Sequence, residues 1–419
     1  MRILIGADTY APHVNGASYF AQRLAAALNV HHEVHVVSPA TGYRSRTRTT
    51  EGGIVEHRIR SLPIWQRRDF RFSLPVGLHA AAGRILDEVR PDVVHVQSHF
   101  PICRALIAAA YARGIFVVAT NHFMPENLTH YLPLARDLVH DWAWRDAARV
   151  FAKANVVTAP TPYAAALAMV AGVPGPVLPI SCGIDLTRFS TRGDAAGFRA
   201  RHDLKDTPTI GYVGRLDAEK NLDVLVRAFA VVRRMTDSQL LLVGTGARER
   251  ALRALAAELG VADDVRFAGF VPDDELPDAY AACTVFVNPG TAELQSLVTL
   301  EAMACGRPVV GANSAALPHL IVDGETGCLF PPGDVRALVR RLLSILDDPA
   351  HADALGRNAR AVAEQHDESR TVAAFAQLYG IARVPAGPAR QPGPVLLNGG
   401  DRNGHARGTG RADTGRRAA

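Results

Sequence analysis

The sequence lacks any apolar run of the roughly 18 residues that a membrane-spanning helix requires. Its longest candidate, ALIAAAYARGIFVVAT, is interrupted by Arg113. The apolar run within the N-terminal stretch MRILIGADTY is too short for a signal peptide and is typical of a first β-strand. We therefore expect a cytoplasmic protein, and peripheral attachment to the inner face of the membrane stays open.

Cysteine is scarce, and its spacing excludes two kinds of site. The chain has five cysteines, an odd number, with neither a CxxC pair nor a cluster with histidine. Such a set indicates neither a disulfide framework nor a metal site. We expect small buried thiols in a reducing compartment, at Cys103, Cys182, Cys283, Cys305 and Cys328.

Net charge is small over most of the chain. The total is +5, and the segment from Arg390 onward, with six Arg and two Asp, holds four of these charges. The nearly neutral remainder argues against a nucleic-acid-binding surface. Residues 385–419 are rich in Gly, Pro and Arg and poor in large apolar residues, which predicts a disordered basic tail.

What the chain does contain is a regular alternation of short β-branched runs with segments of helical periodicity. This pattern predicts an α/β protein with parallel sheets covered by helices on both faces. The predicted strands are RILIG, EVHVV, DVVHV, IFVVA and NVVTA in the first half, and TIGYVG, QLLLVG, VRFAG, TVFVNP and RPVVGA in the second.

The halves meet at a segment punctuated by Pro and Gly, residues 174–189, which is plausible as a hinge. We therefore predict two facing, doubly wound, Rossmann-like domains, residues 1–178 and 179–367. A helix at 368–384 is expected to pack back on the first domain. The carboxyl ends of the strands would line a cleft between the domains, where ligands bind in this architecture.

One candidate site follows the predicted strand of GYVGRLDAEKNLDVLVRAF. Gly214 permits a tight turn, and Arg215 and Lys220 precede the next helix. Two cations beside a helix N-terminus suit a polyanion such as a diphosphate. A basic loop that pairs with Asp217 and Glu219 fits the same spacing equally well.

A second candidate lies in TAELQSLVTLEAMACG, residues 291–306. Glu293 is predicted in the loop before a helix and Glu301 in its second turn. The amides of Ser296, Leu297 and Val298 would be unpaired at that helix start and could bind an anion. The alternative is a capping Glu293 and a solvated Glu301.

Weaker signals come from histidines and glycines at predicted strand ends. His99 and His122 each follow a strand, on the cleft side, and His130 lies farther along. His95, within an apolar strand, is expected to be a structural, hydrogen-bonded histidine. Gly16, before a predicted helix, can bring backbone close to a ligand.

A glycine-rich turn in LLVGTGARERALRAL is a poor match to a nucleotide-binding loop. Gly244 and Gly246 lack a third glycine at the dinucleotide-fingerprint spacing. A plain strand-to-helix turn is the favoured interpretation, and a role in lining a nucleotide pocket stays open.

These features together resemble one family, the retaining glycosyltransferases of family 4 with the GT-B fold. The resemblance covers Met1 to Gly380, and its most specific element is the E-x7-E spacing of Glu293 and Glu301. Several segments stand in family order, namely YAPHVNGASYF, ISCGIDLTRF, GRLDAEKNLDVLVRAF, VRFAGFVPDDEL and DGETGCLFPPGD.

The resemblance implies a role for each charged candidate. Arg215 and Lys220 would bind the donor diphosphate, beside the turn at Gly214, and stabilise the departing nucleotide. Glu293 would hold hydroxyls of the transferred sugar, and Glu301 the nucleotide ribose.

The same resemblance assigns the uncharged candidates. Main-chain amides of Leu297 and its neighbours would contact phosphate or sugar. His122 matches a histidine near the transferred sugar, and Gly16 a loop beside the diphosphate. Phe270 and Val271 fall where the family packs around the base.

The reaction implied is transfer of a hexose from a donor of the UDP-glucose or GDP-mannose type to an acceptor hydroxyl. The donor is a substrate, so no permanently bound cofactor is expected. No metal is expected either, because the sequence has no convincing DxD-type carboxylate pair near the predicted phosphate site. The acceptor would attack on the face that the nucleotide leaves. Two departures occur: Gln295-Ser296 replaces the usual Phe-Gly, and Cys182 replaces the usual Asn.

The acceptor is less well indicated. Parts of the sequence look like the subgroup that glycosylates diacylglycerol or phosphatidylinositol lipids, and a basic-aromatic segment suits a membrane surface. A solvated loop is equally consistent with it. Its notable residues are Trp65, Arg67, Arg68, Phe70, Arg71 and Phe72. Two other functions share the fold: a non-catalytic sugar-nucleotide sensor and a sugar-nucleotide epimerase.

Overall fold

The computed structural model describes residues 1–12, 15–64, 67–124 and 136–382, and the predicted tail and His130 lie outside them. An eight-stranded sheet forms the first half of the described chain. Its strands are β1 (Arg2–Gly6), β2 (Glu33–Pro39), β3 (Arg46–Thr49), β4 (Val55–Ile59), β7 (Val93–Val96), β8 (Phe116–Thr120), β9 (Val156–Ala159) and β10 (Val177–Pro179). A separate hairpin is formed by β5 (Leu62–Ile64) and β6 (Arg67–Phe72).

The order in this sheet is β10-β9-β8-β7-β1-β2-β4-β3, and β3 alone runs antiparallel to its neighbour. The chain therefore reverses its direction of winding between β1 and β7. Helices cover both faces of the sheet, because the inner strands are apolar on both sides and need burial. These helices are α1 (Gly16–Asn29), α2 (Leu78–Val89), α3 (Pro101–Tyr111), α4 (Arg136–Phe151) and α5 (Pro162–Val170).

The second half is built on a six-stranded parallel sheet of order β13-β12-β11-β14-β15-β16. Its strands are β11 (Thr209–Val213), β12 (Gln239–Val243), β13 (Val265–Gly269), β14 (Val285–Asn288), β15 (Val309–Ala312) and β16 (Cys328–Phe330). The winding reverses between β11 and β14. In such sheets ligands bind outside the carboxyl ends of the strands at this switch point.

The helices of this half are mostly short, and the last one leaves it. They are α6 (Ala195–Arg201), α7 (Leu222–Val232), α8 (Glu249–Glu258), α9 (Leu276–Ala281), α10 (Leu297–Ala304), α11 (Leu317–Leu320), α12 (Val335–Leu346), α13 (Pro349–Glu364) and α14 (Glu368–Ile381). Helix α14 buries Phe375 and Tyr379 in the core of the first half, where the Tyr379 hydroxyl lies 2.6 Å from His95 Nδ1.

The predicted α/β architecture with two doubly wound sheets is confirmed. Every predicted strand is present, within a residue or two of the predicted ends. The hairpin, the edge strand β3 with its neighbour β4, and the short strands β10 and β16 were not predicted. All five cysteines are buried and free, as expected. No helix in the described part of the chain could span a membrane.

Candidate functional site

The candidate site lies where the winding of the second sheet reverses. Two loops leave the carboxyl ends of the neighbouring strands β11 and β14. The first carries Gly214, Arg215 and Lys220, and the second carries Glu293. Asn221 joins the loops, because its side-chain amide donates to the Pro289 carbonyl at 3.3 Å. The strand order thus brings together residues that are more than 70 positions apart.

Arg215 is held by two buried carboxylates. Its guanidinium pairs with Asp217 and, at 2.6 Å, with Glu219 Oε1. Both carboxylates are almost fully buried, whereas Arg215 is about one-third exposed at 36%. Gly214 makes the turn that precedes it, with φ of 142°, a value that only glycine adopts readily. The pairing with Asp217 and Glu219 that the basic-loop alternative predicted is therefore present, and the Arg215 side chain remains partly exposed to solvent.

Lys220 makes a different pairing, across the two loops. Its ammonium lies 2.7 Å from Glu293 Oε1, and both side chains are largely buried. A short 3-10 helix, Ala218–Lys220, places the lysine just before α7. The structure thus brings together two of the predicted site residues, a cation and a carboxylate, in one ion pair at the switch point.

The start of α10 offers main-chain amides beside this pair. The Ser296 hydroxyl accepts a hydrogen bond from Asn288 Nδ2 at 2.8 Å and another from Thr299 Oγ1 at 2.8 Å. It makes no capping bond to its own helix. The first amides of α10, at Leu297 and Val298, therefore keep the free donors of a helix N-terminus and can bind an anion.

Glu301 projects from the second turn of α10, as predicted. Its Oε2 accepts a hydrogen bond of 2.6 Å from the Tyr280 hydroxyl. Burial raises the pKa of the Glu301 carboxyl, and the positive charges of Arg23 and Arg188 oppose that rise. Arg23 belongs to α1, so a residue of the first half contributes to the electrostatics of this carboxylate.

The first half approaches the site through α1 and β8. Gly16 begins α1 and lies beside Leu297, so that a Cβ on Gly16 would stand 3.5 Å from Leu297 Cδ1. His122 follows β8 and its Nε2 lies 2.9 Å from Gln97 Oε1. Burial lowers the pKa of His122 to about 4, so its imidazole is neutral at pH 7.

Three other predicted residues follow the strands β13 and β7. Phe270 is 61% exposed just beyond the end of β13, while Val271 is buried in the core of the second half. His99 follows β7, as predicted, but it is 3% exposed and packs against three aromatic rings. Its place on the cleft side stays a prediction.

The two glycines after β12 serve backbone packing. A Cβ on Gly244 would lie 2.0 Å from the Gly214 carbonyl oxygen, and one on Gly246 would lie 2.4 Å from the Leu216 carbonyl oxygen. Each glycine therefore permits the close approach of the Arg215 loop. The plain-turn interpretation accounts for both.

Three contributors escaped the sequence analysis. Gln97 could have been found, because it follows a predicted strand as His99 does. Tyr280 and Tyr19 gave no signal, since both come from helices with ordinary composition. Tyr19 spans the two halves, because its hydroxyl donates to Asp273 Oδ1 at 2.8 Å.

Two family models match this chain in succession. The first, described as Glycosyltransferase Family 4, matches residues 14–188. The second, described as Glycosyl transferases group 1, matches residues 196–362. Together they cover both halves, including the loops of the candidate site.

Curated relatives show similar matches. A GDP-mannose-dependent alpha-(1-6)-phosphatidylinositol monomannoside mannosyltransferase of Mycolicibacterium smegmatis is 37% identical over 42% of this chain and 48% of its own length. A D-inositol 3-phosphate glycosyltransferase of Streptosporangium roseum is 33% identical over 69% of both chains. The chain spans about half the length, 47–48%, of the first two curated relatives it matches.

A solved structure extends the likeness to the whole fold. Sucrose-phosphate synthase from Thermosynechococcus elongatus superposes with a TM-score of 0.76 at 24% identity. The superposition covers 90% of this chain and 98% of that one. At this identity the likeness establishes the architecture of two facing domains.

Proposed function

Because the chain belongs to the family-4 glycosyltransferases of GT-B fold, we propose that it moves a hexose from a nucleoside-diphosphate sugar to an acceptor hydroxyl with retention of configuration. The observation that carries this proposal is the pairing of Lys220 with Glu293 beside Arg215 at the switch point. The cations suit the diphosphate of such a donor, and the carboxylate suits the hydroxyls of its sugar.

The donor diphosphate would compete with Glu293 for the Lys220 ammonium. A diphosphate carries more charge than one carboxylate, so Lys220 would turn to the phosphates. Glu293 would then be free to accept hydrogen bonds from sugar hydroxyls. The phosphate contacts would be completed by the partly exposed side chain of Arg215 and by the amides of Leu297 and Val298.

The chemistry needs stabilisation of charge at two points. Breaking the sugar–phosphate bond leaves positive charge on the anomeric carbon and negative charge on the leaving oxygen. Lys220 and Arg215 would stabilise the leaving oxygen more in the transition state than in the ground state. We propose that these fixed cations supply the charge that a metal provides elsewhere. The leaving phosphate would take the acceptor proton, so no protein nucleophile is required.

The roles proposed for Glu301 and His122 follow the family resemblance, and their surroundings support them. Glu301, at the second turn of α10, would bind the ribose hydroxyls, with Tyr280 fixing its orientation. His122, neutral and held by Gln97, would contact the transferred sugar from the first half. Gly16 would let the start of α1 approach the diphosphate. Phe270, Val271 and the turn at Gly214 would lie around the nucleotide.

For the acceptor we propose a hydroxyl of an inositol, carried by a phosphatidylinositol-type lipid. The names of two relatives, one acting on a phosphatidylinositol mannoside and one on inositol phosphate, support this class. An exposed edge of the first half suits an anionic lipid surface, because apolar and basic side chains alternate there. Its exposed residues include Tyr43, Arg44, Arg46, Arg60, Leu62 and Phe72.

A donor screen followed by two acceptor arms tests the proposal. Purified protein is incubated with UDP-, GDP- and ADP-hexoses, and thermal shift and slow hydrolysis identify the donor. Phosphatidylinositol in vesicles and soluble inositol 3-phosphate are then compared as acceptors. We expect transfer to the lipid, and proton NMR of the product should show the anomeric configuration of the donor.

Each other outcome has a distinct meaning. Transfer only to inositol 3-phosphate would contradict the lipid acceptor and keep the glycosyltransferase. Conversion of the donor to an epimer without acceptor would identify an epimerase. Binding of a donor without any turnover would favour the sugar-nucleotide sensor.

A further inference from the structure

The segment from Glu293 to Leu297 contacts both halves of the molecule and the connection between them. It is five residues long, from the partner of Lys220 to the first residue of α10. The contacts, in order, are Glu293 with Lys220, Leu294 with Thr161, Gln295 with Ser181 and Cys182, Ser296 with Asn288, and Leu297 beside Gly16. We call this segment the donor loop.

Gln295 ties the donor loop to the connection between the halves. Its Oε1 accepts the backbone N–H of Cys182 at 2.8 Å, and its Nε2 donates to Ser181 Oγ at 2.7 Å. The side chain is 8% exposed. The buried amide uses both its donor and its acceptor on one short segment, so losing it would leave buried polar groups unpaired. We call these two hydrogen bonds the clasp.

The connection that Gln295 contacts is also the place where the chain passes between the halves. The chain passes between them twice, and the two passages are hydrogen-bonded through Ile184 N to the His366 carbonyl at 2.8 Å. Ser181 Oγ lies 2.9 Å from His366 Nδ1, which adds a second link. A change of angle between the halves therefore acts on the residues that Gln295 holds.

Cys182 also contacts the first half. Its Sγ lies 3.9 Å from His122 Nδ1, and the other ring nitrogen of His122 is engaged by Gln97. One short path thus runs from the donor loop through Gln295 and Cys182 to His122. Both residues stand where the resemblance led us to expect Phe and Asn, and the structure places these two departures in direct contact.

We propose that Gln295 is a positioning residue that fixes the donor loop relative to His122 across the connection between the halves. The inference rests on the proposed function, because it concerns how residues of both halves meet one donor. A displacement of about 1 Å between reacting groups can cost up to a hundredfold in rate. Gln295 would therefore affect turnover more than donor binding.

The test removes both hydrogen bonds of Gln295 with little change in side-chain volume. Gln295→Met keeps an unbranched chain of the same length and removes both hydrogen bonds. We expect kcat for hydrolysis of the preferred nucleotide sugar to fall about tenfold, with KM within about twofold, since positioning acts on the transition state. Gln295→Glu keeps an acceptor for the Cys182 amide and should recover most of kcat.

An exchange measurement supplies a readout that does not depend on activity. Hydrogen exchange of the Cys182 amide should accelerate in Gln295→Met and stay slow in Gln295→Glu. Gln365→Leu, at an exposed glutamine near the second passage, is the matched control and should change neither kcat nor exchange.

A Gln295→Met protein with wild-type kcat would overturn the inference. A rise in KM at that unchanged kcat would indicate a role in binding alone. If the wild-type protein turns over no nucleotide sugar, the proposed function fails. Unchanged hydrogen exchange of the Cys182 amide in Gln295→Met would reject the clasp independently of that result.

Discussion

The Lys220 ammonium lies 2.7 Å from Glu293 Oε1 and joins the loops that follow two neighbouring strands. The two side chains are 16% and 13% exposed, so each charge is stabilised chiefly by the other. Removing one partner of such a pair leaves an uncompensated charge in a region of low dielectric. The pair therefore links the stability of the protein to the chemistry proposed for the site.

Lys220→Met should abolish most turnover while the protein stays folded. The substitution removes a cation that would stabilise the leaving phosphate, and losses of about 10²–10³-fold are typical for such groups. Steady-state hydrolysis of the preferred nucleotide sugar measures the effect. Turnover at the wild-type rate would exclude Lys220 from the mechanism.

A double substitution separates stability from activity at this pair. Lys220→Met alone should lower the free energy of unfolding by about 1–3 kcal/mol, because Glu293 loses its partner. Adding Glu293→Gln should restore stability without restoring turnover. Denaturant unfolding and kinetics on the same samples check both points, and a double variant that stays as unstable as Lys220→Met would contradict the pairing.

Glu301→Gln should weaken donor binding with little effect on folding. The amide keeps an acceptor for the Tyr280 hydroxyl but binds ribose hydroxyls less strongly than a carboxylate. We expect donor KM to rise about tenfold, the effect of losing roughly 1.4 kcal/mol of binding.

The pH dependence of KM gives an independent check on Glu301. Burial raises the pKa of this carboxyl, so it gains a proton at a higher pH than an ordinary glutamate does. Wild-type KM should therefore rise as the pH is lowered through that titration, and the Gln variant should lose this rise. Identical pH profiles for the two proteins would show that Glu301 does not contact the donor.

The buried strands could be predicted from sequence because they are short β-branched runs that require burial on both faces. Strand β3, of sequence RTRT, is fully exposed and charged, as edge strands commonly are, so it carries no hydrophobic signal. The short strands β10 and β16 have only three residues each, too few for a periodic pattern.

The candidate site could be predicted only in part. Strand ends and helix starts located Arg215, Lys220, Glu293 and Glu301 near the cleft. Their pairing could not be deduced, because the contact of Lys220 with Glu293 depends on β11 and β14 being neighbours, which is a property of strand order. The burial of His99 among aromatic rings likewise depends on tertiary packing.

His99 should make the protein sensitive to mild acid. Burial among aromatic rings lowers the pKa of His99 to about 4; Asp146 opposes this shift, and the positive charge of Arg104 adds to it. The unfolded chain, with an ordinary histidine pKa near 6.5, binds more protons between pH 4 and 6.5. The stability associated with the neutral, buried imidazole is therefore fully present above about pH 6.5. As the pH falls toward 4, the free energy of unfolding decreases by roughly 3 kcal/mol.

His99→Phe tests this origin of acid sensitivity. Phenylalanine fits a pocket already lined by aromatic rings and has no proton to gain. The difference in unfolding free energy between variant and wild type should grow in favour of the variant from pH 6.5 to 4. His351→Phe, at a partly buried helical site, is the comparison, and parallel pH curves for His99→Phe and wild type would reject the assignment.

Helix α14 should be required for the first half to fold, whereas the segment after it should not. Phe375 and Tyr379 are fully buried beside β1 and α1, so Phe375→Ala should lower the free energy of unfolding by about 3–5 kcal/mol.

A chain that ends at Asp367 would lose both side chains and expose the core they cover. A chain that ends at Val384 should keep the wild-type melting temperature and wild-type turnover with a soluble acceptor. Thermal unfolding of the two truncations makes the comparison, and an unfolded product from the longer one would show that the predicted tail contributes to the fold.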